Sequence, residues 1–130
     1  SSDGNLEIVK QFLERGATNF NESMKTATFN GHLEIVKLML EKGASNYDDA
    51  MLSASHGGHL EIVKLMLDKD AVQVNKAMFT AAGEGHLEVV EFLLTKGATN
   101  LLESLGQAAH RGRIEVIKVL KERLFTKVKT

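Results

Sequence analysis

Cysteine is absent from this 130-residue chain. That excludes a disulfide framework, a thiolate metal site and a cysteine nucleophile. Proline is absent too. No run of about 18 apolar residues occurs, so no segment reads as a membrane-spanning helix. The opening Ser1-Ser2-Asp3-Gly4 lacks the basic and apolar parts of a secretion signal. A cytoplasmic protein without membrane insertion is the expectation. What the chain does have is 43% apolar and 25% charged residues, enough for a continuous core under a solvated surface.

The segment Gly31-His32-Leu33-Glu34-Ile35-Val36-Lys37 returns almost unchanged at Gly58–Lys64, then as Gly85-His86-Leu87-Glu88-Val89-Val90-Glu91. Weaker copies open at Gly4 and Gly112, so the start glycines fall at 4, 31, 58, 85 and 112, always 27 apart. A constant period of this size marks a stack of one supersecondary unit that cannot bury its apolar side alone. Such a stack encloses no single deep cavity, which favours a binding surface over a catalytic cleft.

Leu33–Lys42 carries a wide apolar helical face, with Glu34, Lys37, Glu41 and Lys42 on the remainder. The three- and four-residue charge spacings Glu34–Lys37 and Lys37–Glu41 suit ion pairs on a wet outer face. Gly16, Gly43 and Gly97 are placed to end these helices with a left-handed residue, and Asp70 stands in their column. Asn19…Glu22, Asn46…Asp49 and Asn100…Glu103 have capping-box spacing, which predicts a second helix in each repeat. These second helices are expected at Phe20–Asn30, Tyr47–Gly57, Val74–Glu84 and Leu101–Arg111. Met24/Met51/Met78/Leu105 and Ala27/Ala54/Ala81/Ala108 fall on their inward stripe. Each helix is too short to persist alone, so stability must come from neighbouring repeats.

Gly-His-Leu-Glu-Ile-Val-Lys-Leu-Met-Leu-Glu-Lys-Gly-Ala at 31–44, with its copies, resembles the second half of an ankyrin repeat. Ala54-Ser55-His56-Gly57-Gly58-His59 is similar to the end of that family's first helix. The family period is about 33 residues, so each copy here is about six short. The deficit falls after Gly43-Ala44, where the family has a β-hairpin finger and a Thr-Pro-Leu-His start that this proline-free chain lacks. The expectation is an all-α solenoid of stacked helix-turn-helix ankyrin-like repeats with the fingers deleted. It forms one array over 1–130: an outer helix at 4–16, then repeats at about 17–43, 44–70, 71–97 and 98–130. The last repeat carries an extended C-terminal cap helix.

The resemblance implies a non-catalytic module or scaffold that binds another protein on the concave face of the inner helices. Aligned by motif, its variable contact positions are Phe29-Asn30, His56-Gly57, Gly83-Glu84 and His110-Arg111; the column after the core Met/Leu, where the family normally has a structural histidine, varies here as Lys25, Leu52, Phe79 and Gly106. From these, the expected partner-binding residues are Lys25, Phe29, Asn30, Leu52, His56, Phe79, Glu84, His110 and Arg111. His32, His59 and His86 recur in one column, which gives them a scaffold role. His56 and His59 have no third zinc ligand, and Ser53, His56 and Asp49 come without a nucleophile elbow. No cofactor, metal or enzymatic activity is expected, and the array is expected to be monomeric.

Charge is uneven along the chain. Residues 111–130 hold seven basic and two acidic side chains, a net of +5; residues 1–110 hold nine basic and fifteen acidic, a net of −6. Binding of nucleic acid or an anionic surface through the basic C-terminal helix is therefore the alternative, with nucleic acid the less expected partner.

Overall fold

The computed structural model describes residues 20–129, with side chains described through Thr126. The expected outer helix at 4–16, its stop at Gly16 and the cap at Asn19 lie outside the described residues. Within them are eight α-helices and no strand. The inner helices are α1 (Phe20–Phe29), α3 (Tyr47–Gly57), α5 (Val74–Glu84) and α7 (Leu101–His110). Each is followed by an outer helix: α2 (Leu33–Glu41), α4 (Leu60–Asp68), α6 (Leu87–Thr95) and α8 (Ile114–Lys129). Asn30 and Arg111, expected as helical, fall one residue past the ends of α1 and α7.

Each inner helix pairs with the outer helix that follows it, and each inner helix lies along the next inner helix. Consecutive outer helices barely touch. Close spacing on one side and loose spacing on the other bends the stack, with the inner helices on the concave side. The loops at 42–46, 69–73 and 96–100 are too short for a β-hairpin and contain none.

The same closure, an N–H bonded to the carbonyl five residues back across a positive-φ residue, ends both kinds of helix. Inner helices end on Gly31, Gly58, Gly85 and Gly112, with φ between +71° and +81°. At these turns the N–H of His32, His59, His86 or Arg113 donates to the carbonyl of the invariant alanine, at 2.8–2.9 Å. Outer helices end with the N–H of Ala44, Ala71 or Ala98 on the carbonyl of Met39, Met66 or Leu93, the wider bond of a Schellman closure. Gly43 and Gly97 take the positive-φ position, and Asp70 takes it with φ +110°, well outside the small left-handed well open to side-chain-bearing residues.

The capping boxes expected at Asn46…Asp49 and Asn100…Glu103 do not form. Neither asparagine makes a side-chain cap bond. Instead Tyr47, Val74 and Leu101 donate their N–H groups two residues back, to Ser45, Val72 and Thr99, at 2.9 Å. The central residues Asn46, Gln73 and Asn100 sit near φ −84°, ψ 57°, which is inverse γ-turn geometry. That turn aims the asparagine amides across the junction: Asn46 Nδ2 donates to the Asn21 carbonyl at 3.1 Å, and Asn100 Nδ2 to the Asn75 carbonyl at 2.8 Å. A reciprocal set runs the other way. Asn21 Oδ1 accepts from Ser45 N, Asp48 Oδ1 from Val72 N and Gln73 N, and Asn75 Oδ1 from Thr99 N, all at 2.8–3.0 Å. These side-chain latches tie each loop to the repeat before it.

The core is one continuous ladder. Met24, Met51 and Met78 are fully buried, as are Val36, Val63 and Val90 on the outer helices. The invariant alanines line the same interior, and Val116 and Leu120 of α8 close it. Glu34–Lys37 and Glu61–Lys64 pair at 3.5 and 3.6 Å on the wet outer face.

Candidate functional site

The concave face is built from inner-helix residues that point away from the ladder. Lys25, Leu52, Phe79 and Gly106 occupy one column across it, one from each inner helix. Leu52 is half-buried against the edge of the core. Phe79 is also half-buried, yet it is not among the apolar residues packed on that core. Lys25 is exposed and lines a shallow depression of about 200 Å³ with Glu22, Thr26, Phe29 and Ser53. A hollow of this size holds one side chain, well short of the several hundred Å³ common for small-molecule sites.

Along the C-terminal ends of the inner helices runs a connected ridge. Phe29 is 58% exposed, and its ring stacks on His56 with centroids 6.0 Å apart and planes 20° from parallel. His56 Nε2 lies 3.5 Å from Glu84 Oε1, and the same oxygen lies 3.4 Å from Arg111 Nη2. Four expected contact residues from four repeats are thereby joined side to side. His110 and Asn30 are exposed beside them, with the Asn30 amide held on the Thr26 carbonyl at 3.0 Å.

The ridge rests on a second row. His59 Nε2 reaches the Phe29 carbonyl at 3.2 Å, and His86 Nε2 the His56 carbonyl at 2.9 Å. A carbonyl can only accept, so in both rings Nε2 carries the proton. Arg113 takes over in the last repeat, donating from Nε to the Gly83 carbonyl at 2.9 Å. These rungs fix the backbone of the residues that carry the ridge, which is the scaffold role expected of His59 and His86. His56 and His59 therefore face different partners. Among the described residues, no group of three or more histidine, aspartate or glutamate side chains is placed to hold a metal ion.

Glycine positions refine the face. A Cβ on Gly57 would stand 2.5 Å from the His59 ring, and one on Gly83 would stand 2.9 Å from Gln107 Cγ. Both glycines serve close packing, which the motif alignment alone does not reveal. Gly106 differs: a Cβ there would meet nothing within 4 Å. Nothing in the packing explains this helix-interior glycine.

Residues 24–104 and, overlapping them, residues 50–129 match the family described as ankyrin repeats in three copies. The chain belongs to the ankyrin-repeat family. A search of curated proteins gave no significant match. Ankyrin repeats are generally protein–protein interaction modules and typically carry no catalysis. In this ankyrin array the described loops keep the helix pairs and omit the finger, leaving helix faces as its broad surfaces.

Proposed function

We propose that this ankyrin array binds another protein on its concave face without a catalytic step, as a monomeric intracellular module spanning the whole chain. The supporting observation is a division of columns. In the inner helices Met24, Met51, Met78 and the invariant alanines are buried, whereas Lys25, Leu52 and Phe79, which differ from copy to copy, are exposed or half-buried. Phe29 and Phe79 act as apolar anchors, the Phe29–His56–Glu84–Arg111 ridge forms one rim, and Lys25 with Leu52 fills the floor. His110 and Asn30 complete the contact. Anchors of this kind dominate binding energy when a partner desolvates them.

The test is affinity capture with mass spectrometry at low and raised salt, repeated with two paired variants. Phe29→Ala with Phe79→Ala is expected to weaken partner binding at least about tenfold, since anchor residues carry most interface energy. Lys121→Glu with Arg123→Glu is expected to leave concave-face binding unchanged. The opposite pattern, together with a steep loss of binding in salt, would favour the anionic-surface or nucleic-acid alternative. That alternative rests on Lys118, Lys121 and Arg123, all exposed on α8.

A further inference from the structure

Between successive inner helices the concave face is grooved, and each groove offers the same pair of groups. Lys25 and Ser53 share the hollow between α1 and α3. The equivalent pair between α3 and α5 is Leu52 and Thr80, and between α5 and α7 it is Phe79 and Gln107. Gln107 leans back toward α5, since its Cγ lies 2.9 Å from where a Cβ on Gly83 would stand. All three grooves therefore lie between described helices. The first member of each pair is a long side chain, and the second is a hydrogen-bond donor. Ser53, Thr80 and Gln107 are half-buried, and none of their side chains is hydrogen-bonded within the described residues.

Packed helices lie about 8–10 Å apart, so a ligand crossing them must present like groups at that interval. A β-strand returns the same face every ~6.7 Å and is out of step by the second groove. A polyproline II segment returns it every third residue, about 9.3 Å on. An α-helix also comes round near this distance, seven residues rising about 10.5 Å. The donors separate these two. Helix carbonyls are bonded within their own backbone, so a docked helix would bury Ser53, Thr80 and Gln107 without acceptors. Polyproline II has no internal hydrogen bonds, and its carbonyls stay free to accept. Charge adds a direction. Asp49 stands one helical turn before Leu52, and Lys76 one turn before Phe79, both exposed. Their opposite signs call for a basic group beside the Leu52 groove and an acidic group beside the Phe79 groove.

We propose that the partner enters the concave face as an extended polyproline II segment. Apolar residues three apart pack against Leu52 and Phe79, a basic side chain meets Asp49, and an acidic one meets Lys76. This names the ligand chemistry of the concave face and rests on the reading given for that face.

The probe is the synthetic peptide Pro-Pro-Leu-Pro-Lys-Leu-Pro-Glu-Pro-Pro, titrated by calorimetry into the 130-residue chain. One control exchanges its lysine and glutamate, a second moves the leucines to alternate positions, and a third is an amphipathic leucine helix. The probe is expected to bind at least about tenfold tighter than each control. Phe79→Ala is expected to weaken it about tenfold or more. Thr80→Val and Gln107→Leu remove a donor but keep the shape, and each should weaken it about three- to tenfold. Neither side chain is hydrogen-bonded within the fold, so both variants should keep the parent's melting temperature. Failure of the probe to bind would overturn the proposal, as would equal binding of the exchanged or respaced peptide. Tighter binding of the helix would overturn it too, and so would indifference to both donor variants. The concave-face reading is decided separately, by the captured partner's response to Phe29→Ala with Phe79→Ala. A captured partner that needs Phe79 but ignores Thr80→Val and Gln107→Leu would leave that reading standing and remove this one.

Discussion

Met78 and Phe79 are neighbours on α5, but they belong to different parts of this molecule. Met78 is fully buried and stands in a column with Met24 and Met51. Phe79 stands in a column with Lys25, Leu52 and Gly106, faces the concave side and stays half-buried. The first column is nearly constant because each member must fill the same space between two repeats. The second is free because no neighbouring repeat constrains it. For these two adjacent columns the array supplies an internal control: the nearly constant one packs between repeats, and the varying one is left open to other duties.

The broadest way to break this contrast is to remove a packing partner altogether. Deleting residues 112–130 strips α8, with its buried Val116 and Leu120, from α7. Because neighbouring repeats stabilise one another cooperatively, loss of the sharp thermal transition and aggregation on size exclusion are expected. A soluble truncation with the parent's melting temperature would show that α8 is not a cap.

The contrast sharpens at the adjacent pair. Met78→Ala is expected to cost about 2–5 kcal/mol, because it leaves a cavity at a fully buried site. Phe79→Ala should cost about 1 kcal/mol or less, as expected for a side chain outside the packed ladder. Urea denaturation followed by circular dichroism measures both, and equal losses would put Phe79 in the core.

Two glycines give modest effects of opposite sign. Gly106→Ala should stabilise by roughly 1 kcal/mol, since alanine is the better helix former and its Cβ meets open space. Gly85→Ala should destabilise by about 1–2 kcal/mol, the usual strain of a left-handed non-glycine residue. Gly85 has φ +81°, and a Cβ there would lie 2.9 Å from Arg113 Cδ. Thermal melts of the two variants should therefore move in opposite directions.

Much of the fold was legible from residue order. Inner-helix limits came within one residue, because the stop glycines and apolar columns act locally. The concave candidates were legible as columns that fail to repeat. Less legible was how they meet. Expecting Asn46 and Asn100 to cap their own helices failed because an inverse γ-turn places their amides across the junction instead. Gly57 and Gly83 looked like variable contact positions until the His59 ring and the Gln107 side chain were seen to occupy their Cβ space. The ridge from Phe29 to Arg111 depends on contacts between side chains about 27 residues apart, and spacing alone does not reveal which of them bend toward one another.

Residue order by itself determined the period, the alternation of helices, their glycine stops and the missing finger, since each follows from φ preferences and apolar spacing within a few residues. Only the tertiary structure decided how the loops latch, which glycines are steric necessities and which side chains join across repeats into the ridge. Those outcomes depend on the distance and rotation between successive repeats, which arise when the repeats pack and are written in no single one of them.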